Sequence, residues 1–186
     1  MKCFKAIFAG MLLTFSIPAF AQFANTGNSS NRNTASTYEN HSGMFVEPAI
    51  GLMVGDCDTD FGIGVGFGYR WHIANGFSWD VLKISGNTGV SHLSEMFDAR
   101  FLTGIRYTTD AIIPGRSVYV NFAMGWNILP DQPEWTGFAY EIGAGLNLTN
   151  HVSLGLVWEG NCLKYEDPGY PSMHNGLLGV KLGYQF

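Results

Sequence analysis

Gly62-Ile63-Gly64-Val65-Gly66-Phe67-Gly68-Tyr69-Arg70-Trp71 alternates without a slip. Period two sends successive side chains to opposite faces of a strand. One face is therefore Ile63, Val65, Phe67, Tyr69 and Trp71; the other is glycine, ending in Arg70. Glycine is a poor solvent face, because it weakens a strand and packs nothing. It is a good lining for a narrow closed barrel, whose interior only just fits side chains. The bulky face must then point outward, into something apolar.

The same pattern recurs. Alternating runs occupy residues 46–54, 63–71, 77–81, 97–107, 118–126, 138–148, 152–158 and 178–186. Eight is an even number, and most runs approach the roughly 9–11 residues a tilted strand needs to cross a bilayer. The connectors alternate as well. Residues 73–76, with the hairpin signal Asn75-Gly76, 108–116 and 149–151 are turns on one side. Residues 55–60, 85–95, 127–134 and 160–175 are longer and more polar on the other. The expected fold is all-β: an eight-stranded antiparallel up-and-down transmembrane β-barrel. Composition agrees, since charged residues are 13% against a soluble average of about 25%.

The chain ends have other jobs. Lys2 and Lys5, the apolar stretch 8–15, Pro18 and Ala19-Phe20-Ala21 read as a secretory signal cut after Ala21. Cys3 falls within it, too early to be a lipoprotein site. Residues 22–42 are a polar linker, expected to be disordered. The barrel domain is expected at 43–186. With 10 basic and 15 acidic side chains and no basic face, a nucleic-acid partner is not expected. No apolar segment is long enough for a transmembrane helix.

Two aromatic groups are expected to form interfacial belts that meet outer-membrane lipid. Phe45, Trp71, Phe77, Trp79, Tyr107, Tyr184 and Phe186 lie near the short-turn ends of their runs. Phe61, Phe97, Trp126, Trp135, Phe138 and Trp158 lie near the loop ends. On the inner face, Glu47, Asp80, Asp98, Glu141 and Glu159 would meet Arg70, Arg100, Arg106 and Lys181. Buried charges normally pair, so these nine are expected to form a lumen plug of ion pairs rather than an ion path.

With its signal sequence, eight runs and ending Val180-x-Leu182-x-Tyr184-x-Phe186, the chain resembles the small outer-membrane β-barrel superfamily, the outer-membrane protein A and X type. The resemblance covers 43–186. It implies that Val180, Leu182, Tyr184 and Phe186 form the signal read by the barrel-assembly machinery. It does not fix a function. Lipid A deacylases use such a barrel with a His-x-Ser pair and a carboxylate. His151-Val152-Ser153, with Glu159 or Glu166, has that spacing, but His151 falls at a periplasmic turn and Ser153 in the lumen phase. His72, His92 and His174 show no metal-ligand spacing and are expected in exposed loops. No cofactor is implied.

The loop holding Lys164, Tyr165 and Tyr170 is the best recognition segment. Cys57 and Cys162 fall in the first and last long loops, and a closed barrel makes those loops neighbours, so they are a candidate disulfide. The expected role is a non-enzymatic envelope barrel serving membrane integrity or surface contact through its loops. The alternatives are a lipid A-modifying barrel enzyme and a secreted soluble ligand-binding barrel.

Overall fold

The structure, a computed structural model, describes residues 41–56, 59–90, 97–109, 116–165 and 169–186. The signal segment, residues 22–40 of the linker, Cys57, His92 and Glu166 lie outside the described residues. The eight strands are β1 (Gly43–Gly55), β2 (Asp60–Ala74), β3 (Phe77–Gly89), β4 (Asp98–Thr108), β5 (Ser117–Leu129), β6 (Gln132–Asn147), β7 (Val152–Tyr165) and β8 (Met173–Gln185). Each pairs antiparallel with its neighbour in sequence, and β8 returns to β1, closing the barrel. Closure leaves no unpaired edge for lipid. Asn75 and Gly76 have φ of 49° and 82°, the left-handed pair that a two-residue hairpin turn demands.

The strands outrun the sequence expectations at the long-loop end. β3 runs to Gly89, so residues 85–89 are strand rather than loop. β5 and β6 are separated only by Pro130 and Asp131, so the loop expected at 127–134 is a tight hairpin. β7 ends at Tyr165 and β8 begins at Met173, which shortens the connector expected at 160–175. His72 and His174 lie in β2 and β8, not in loops. Polar residues in these segments look like loop by composition, but 85–89 pair with Gly62–Gly66 of β2, and Gln132 pairs with Leu129 across the β5–β6 turn.

One irregularity changes the interior. Opposite Arg70 stands Asp80, and opposite Tyr69 stands Leu82, so Val81 is an extra residue: a β-bulge. Val81 and Leu82 both point outward. Thr103 on β4 holds the bulge, its hydroxyl donating to the Asp80 carbonyl at 3.0 Å and accepting from Trp79 Nε1 at 2.9 Å. After the bulge the phase is reversed, and Lys83, Ser85 and Asn87 face the lumen.

The outer surface is a band of exposed apolar side chains, among them Ile50, Phe67, Trp71, Ile105, Trp126, Leu156 and Leu182. Near the long-loop end, Trp158 Nε1 donates to the Tyr140 hydroxyl at 3.1 Å. Tyr140 packs against Gly160, where a Cβ would stand 2.5 Å from the ring. Two residues expected in the belts are elsewhere. Phe45 is 2% exposed and lies in the lumen, with the Arg70 guanidinium 4.5 Å from its ring centroid. It shares the phase of Glu47, so alternation itself sends it inward. Trp135 shares the inward phase of Gly137 and packs on Tyr165 at the barrel mouth.

Candidate functional site

The barrel interior is the first place to look for chemistry. Glu47, Arg70, Asp80, Asp98, Arg100, Arg106, Glu141, Glu159 and Lys181 are all buried there. Lys83, which sequence reasoning missed, joins them at 1% exposure. Strict alternation from Phe77, Trp79 and Val81 assigns Lys83 to the outer face; only the bulge turns it in. The interior therefore holds five carboxylates and five cations, correcting the five-to-four count from alternation alone.

These groups form two linked clusters. In the lower one, towards the short turns, Lys83 Nζ donates to Glu47 Oε2 at 2.7 Å and to Glu141 Oε2 at 2.5 Å. Lys181 Nζ reaches Glu141 Oε1 at 2.5 Å and Glu47 Oε2 at 3.1 Å. Asn121 adds a third bond to Glu141. Arg70 grips Asp80 with two donors at 2.6 and 3.0 Å and also reaches Glu47. Arg106 donates to Asn147 and lies over the Tyr119 ring, its guanidinium carbon 3.6 Å from the centroid. In the upper cluster Arg100 bridges Asp98 at 2.9 Å and Glu159 at 2.8 Å, with Asn87 and Asn161 donating to the same carboxylates. Small residues make room for this. Gly66 faces Lys83, where a Cβ would stand 2.7 Å from its Cε.

Such a network can do little chemistry as it stands. Each carboxylate has a cationic partner, and Glu141, Glu159 and Asp98 each accept from an asparagine as well, which is what a buried charge requires. Apolar side chains fill the remaining wall, with Ala49, Val157 and Leu177 on one side and Leu102, Ala123 and Ala139 on the other. A polar recess opens at the short-turn end, lined by Thr149, His151, Ser153 and Gln185 and reaching Glu47, Arg70 and Arg106. Above it, the ion pairs close the lumen.

The comparisons with known proteins bear on this arrangement. A model of the outer membrane protein beta-barrel domain matches residues 7–186. The chain belongs to that family. No curated protein is significantly similar in sequence. Among solved structures, this outer-membrane barrel is similar to neisserial surface protein A at 12% identity and a TM-score of 0.53, over 78% of this chain and 97% of that one. It is also similar to the outer-membrane enzyme PagL at 16% identity and a TM-score of 0.50, over 76% of this chain and 99% of that one. At these identities both show the fold alone.

Membership in an outer-membrane family orients the barrel. Such barrels carry short turns at the periplasmic end and longer loops outside. On the sequence pattern, the end bearing the Asn75-Gly76 turn is in the periplasm, although the β5–β6 connection at the other end is as short. His151 is thus at the periplasmic end, where its Nδ1 lies 2.8 Å from the Gln185 carbonyl oxygen and its ring stands beside His41 and Tyr184. Ser153 is buried in the lumen. Glu159 is held by Arg100 and Asn87 in the upper cluster. The His-x-Ser spacing therefore does not present a nucleophile to the outer leaflet.

The exterior rim is different in character. Asp56, Asp58 and Asp60 sit at the β1–β2 connection, and Glu95 between β3 and β4. Asp131 and Glu134 follow β5, and Glu166 and Asp167 follow β7. Asp58, Glu95, Glu166 and Asp167 are placed there by chain order alone. Among the described residues, Lys164 is the one lysine or arginine of that rim. Trp135, Tyr165 and Tyr170 cluster there, with ring centroids 5.2 and 4.5 Å apart along the series. Cys162, at the same end, is disulfide-bonded. Val180, Leu182, Tyr184 and Phe186 face outward along β8, and the Phe186 N–H donates to the Met44 carbonyl across the closing seam.

Proposed function

We propose that this protein is a non-enzymatic outer-membrane barrel that supports envelope integrity or surface contact through its exterior rim. The observation that carries this reading is the filled lumen. Ten mutually paired charges occupy the space a solute would need. Eight strands leave no open aqueous channel once side chains fill the interior. The surfaces left to act are the lipid belt and the exterior rim. A lipid A deacylase would need its nucleophile and base at the outer leaflet, and on this reading the His151–Ser153 pair lies at the opposite end. Export through a cleaved signal at residues 1–21 and insertion by the barrel-assembly machinery belong to the same reading.

A deletion strain tests it. Loss of the barrel should raise sensitivity to detergents or reduce attachment to surfaces, and leave the acyl composition of lipid A unchanged. A changed acyl composition, restored by the intact gene but not by His151→Ala, would assign an enzyme instead.

A further inference from the structure

Charge is distributed unevenly in this barrel. The lumen is neutral, with five acids and five bases. Asp110 and Arg116 balance in the longer periplasmic turn, and Glu39 and Arg32 balance in the linker. By chain order the exterior connectors and strand ends carry eight carboxylates against Lys164, a balance of −7, four of the eight lying among the described residues. The whole chain carries −5, and cleavage after Ala21 would remove Lys2 and Lys5, leaving −7. By chain order, the net charge of the processed protein then belongs to the connectors at that end, and Asp56, Asp60, Asp131 and Glu134 are its described carboxylates.

An aromatic platform stands inside that field. Trp135 and Tyr165 are register partners, two steps beyond Gly137 and Leu163. They share the inward phase of those residues, so their rings border the mouth rather than the lipid. Tyr170, 59% exposed, packs on Tyr165 with centroids 4.5 Å apart. Lys164 alternates to the opposite face from Tyr165 and does not neutralise the platform. Described carboxylates Asp131 and Glu134 belong to the same hairpin as Trp135.

We propose that this aromatic cluster is a docking surface for a cationic polypeptide, one rich in arginine. The proposal rests on the surface-contact reading above and names the partner's chemistry. Aromatic faces attract cations, and a guanidinium plane stacks on them while the surrounding carboxylates take its donors. A negative rim would also raise the encounter rate of a positive partner, in a salt-dependent way. A hydrated divalent ion suits the site less well. It gains nothing from ring faces, and among the described residues no three His, Cys, Asp or Glu converge closely enough to hold one.

The test uses the signal-cleaved full barrel, refolded into phosphatidylcholine vesicles so that the lipid contributes no net charge. Fluorescently labelled nona-arginine and nona-lysine are titrated and followed by anisotropy. Nona-arginine should bind more tightly than nona-lysine, and binding should weaken steeply from about 50 mM to about 300 mM salt as screening grows. Trp135→Ala and, independently, Tyr170→Ala should each weaken nona-arginine at least about threefold. Asp131→Asn with Glu134→Gln should flatten the salt dependence. Each variant is first checked for the folded band that shifts on boiling; Tyr170 is a loop residue, so its variant serves if Trp135→Ala misfolds. No binding at low salt, or unchanged affinity in the folded aromatic variants, would overturn the proposal. So would displacement by magnesium beyond its ionic-strength effect, which would assign the rim to divalent cations. A deletion strain with normal envelope and attachment would defeat the surface-contact reading whatever the peptides do.

Discussion

Lys83→Met is the substitution that most directly probes the interior. Lys83 Nζ holds Glu47 at 2.7 Å and Glu141 at 2.5 Å, and its side chain is 1% exposed. Methionine keeps most of the volume and removes the charge. The lumen would pass from neutral to one excess negative charge, with Lys181 left to serve Glu141 and to share Glu47 with Arg70. Removing one partner of a buried pair costs about 3–5 kcal/mol, because the other charge remains buried and uncompensated. Glu141→Gln should cost a similar amount, since it leaves Lys83 and Lys181 to share Glu47 alone. The double variant restores neutrality. It should lose no more than about one single variant does, a coupling of roughly 3 kcal/mol, where additive behaviour would predict about twice the loss. The assay is urea unfolding of the barrel in vesicles, followed by tryptophan fluorescence and by the heat-shifted gel band. With a slope of about 2 kcal/mol per molar, each single variant should lower the midpoint by about 2 M. Lys164→Met, exposed on the outer face of β7, should stay within about 0.5 kcal/mol. An unchanged midpoint in Lys83→Met would refute the placement of Lys83 in the lumen. Strict additivity in the double variant would refute the ion-pair account of the plug.

Deletion of Phe186 should impair insertion, because its N–H closes the β8–β1 seam and its ring ends the outward apolar series; normal surface levels by whole-cell labelling would refute this. Planar-bilayer recordings should show little or no steady conductance, and a large open state would refute the plug. Cys57→Ser should expose one free thiol at Cys162 to alkylation and mass spectrometry, where the parent protein shows none. If Cys57 is the partner, closing a loop of about 100 residues stabilises by at most about 4.7 kcal/mol, so the reduced barrel should unfold at lower urea. Thr103→Val should loosen the bulge by removing the hydroxyl that serves Asp80 and Trp79. A loss of about 1 kcal/mol, read from the same urea curves, is expected.

The sequence by itself determined the repeating unit. Alternation in 62–71 and its seven counterparts specified strands, and glycine opposite bulky residues specified which face goes to lipid. That logic is local, since each side chain's face follows from its neighbours one residue away. It was enough to name nine of the ten interior charges. Phe45 was also legible by phase; counting it in the belt weighed its aromatic ring above its parity. The sequence could not reveal Lys83, because a bulge shows itself only through unequal spacing on two paired strands, here Arg70 with Asp80 and Tyr69 with Leu82. Nor could it show where the strands end, since residues 85–89 and 132–134 are polar; 85–89 take strand geometry from β2 and β4, and Gln132 from Leu129 across the turn. Which charges meet was also decided in three dimensions. Glu47 lies 36 residues from Lys83, and Lys83 lies 58 from Glu141. Only the closure of eight staggered strands brings these side chains to one point in the lumen. Trp135, Tyr165 and Tyr170 meet more locally, through the β6–β7 register and the chain that follows β7 rather than by any motif in the sequence.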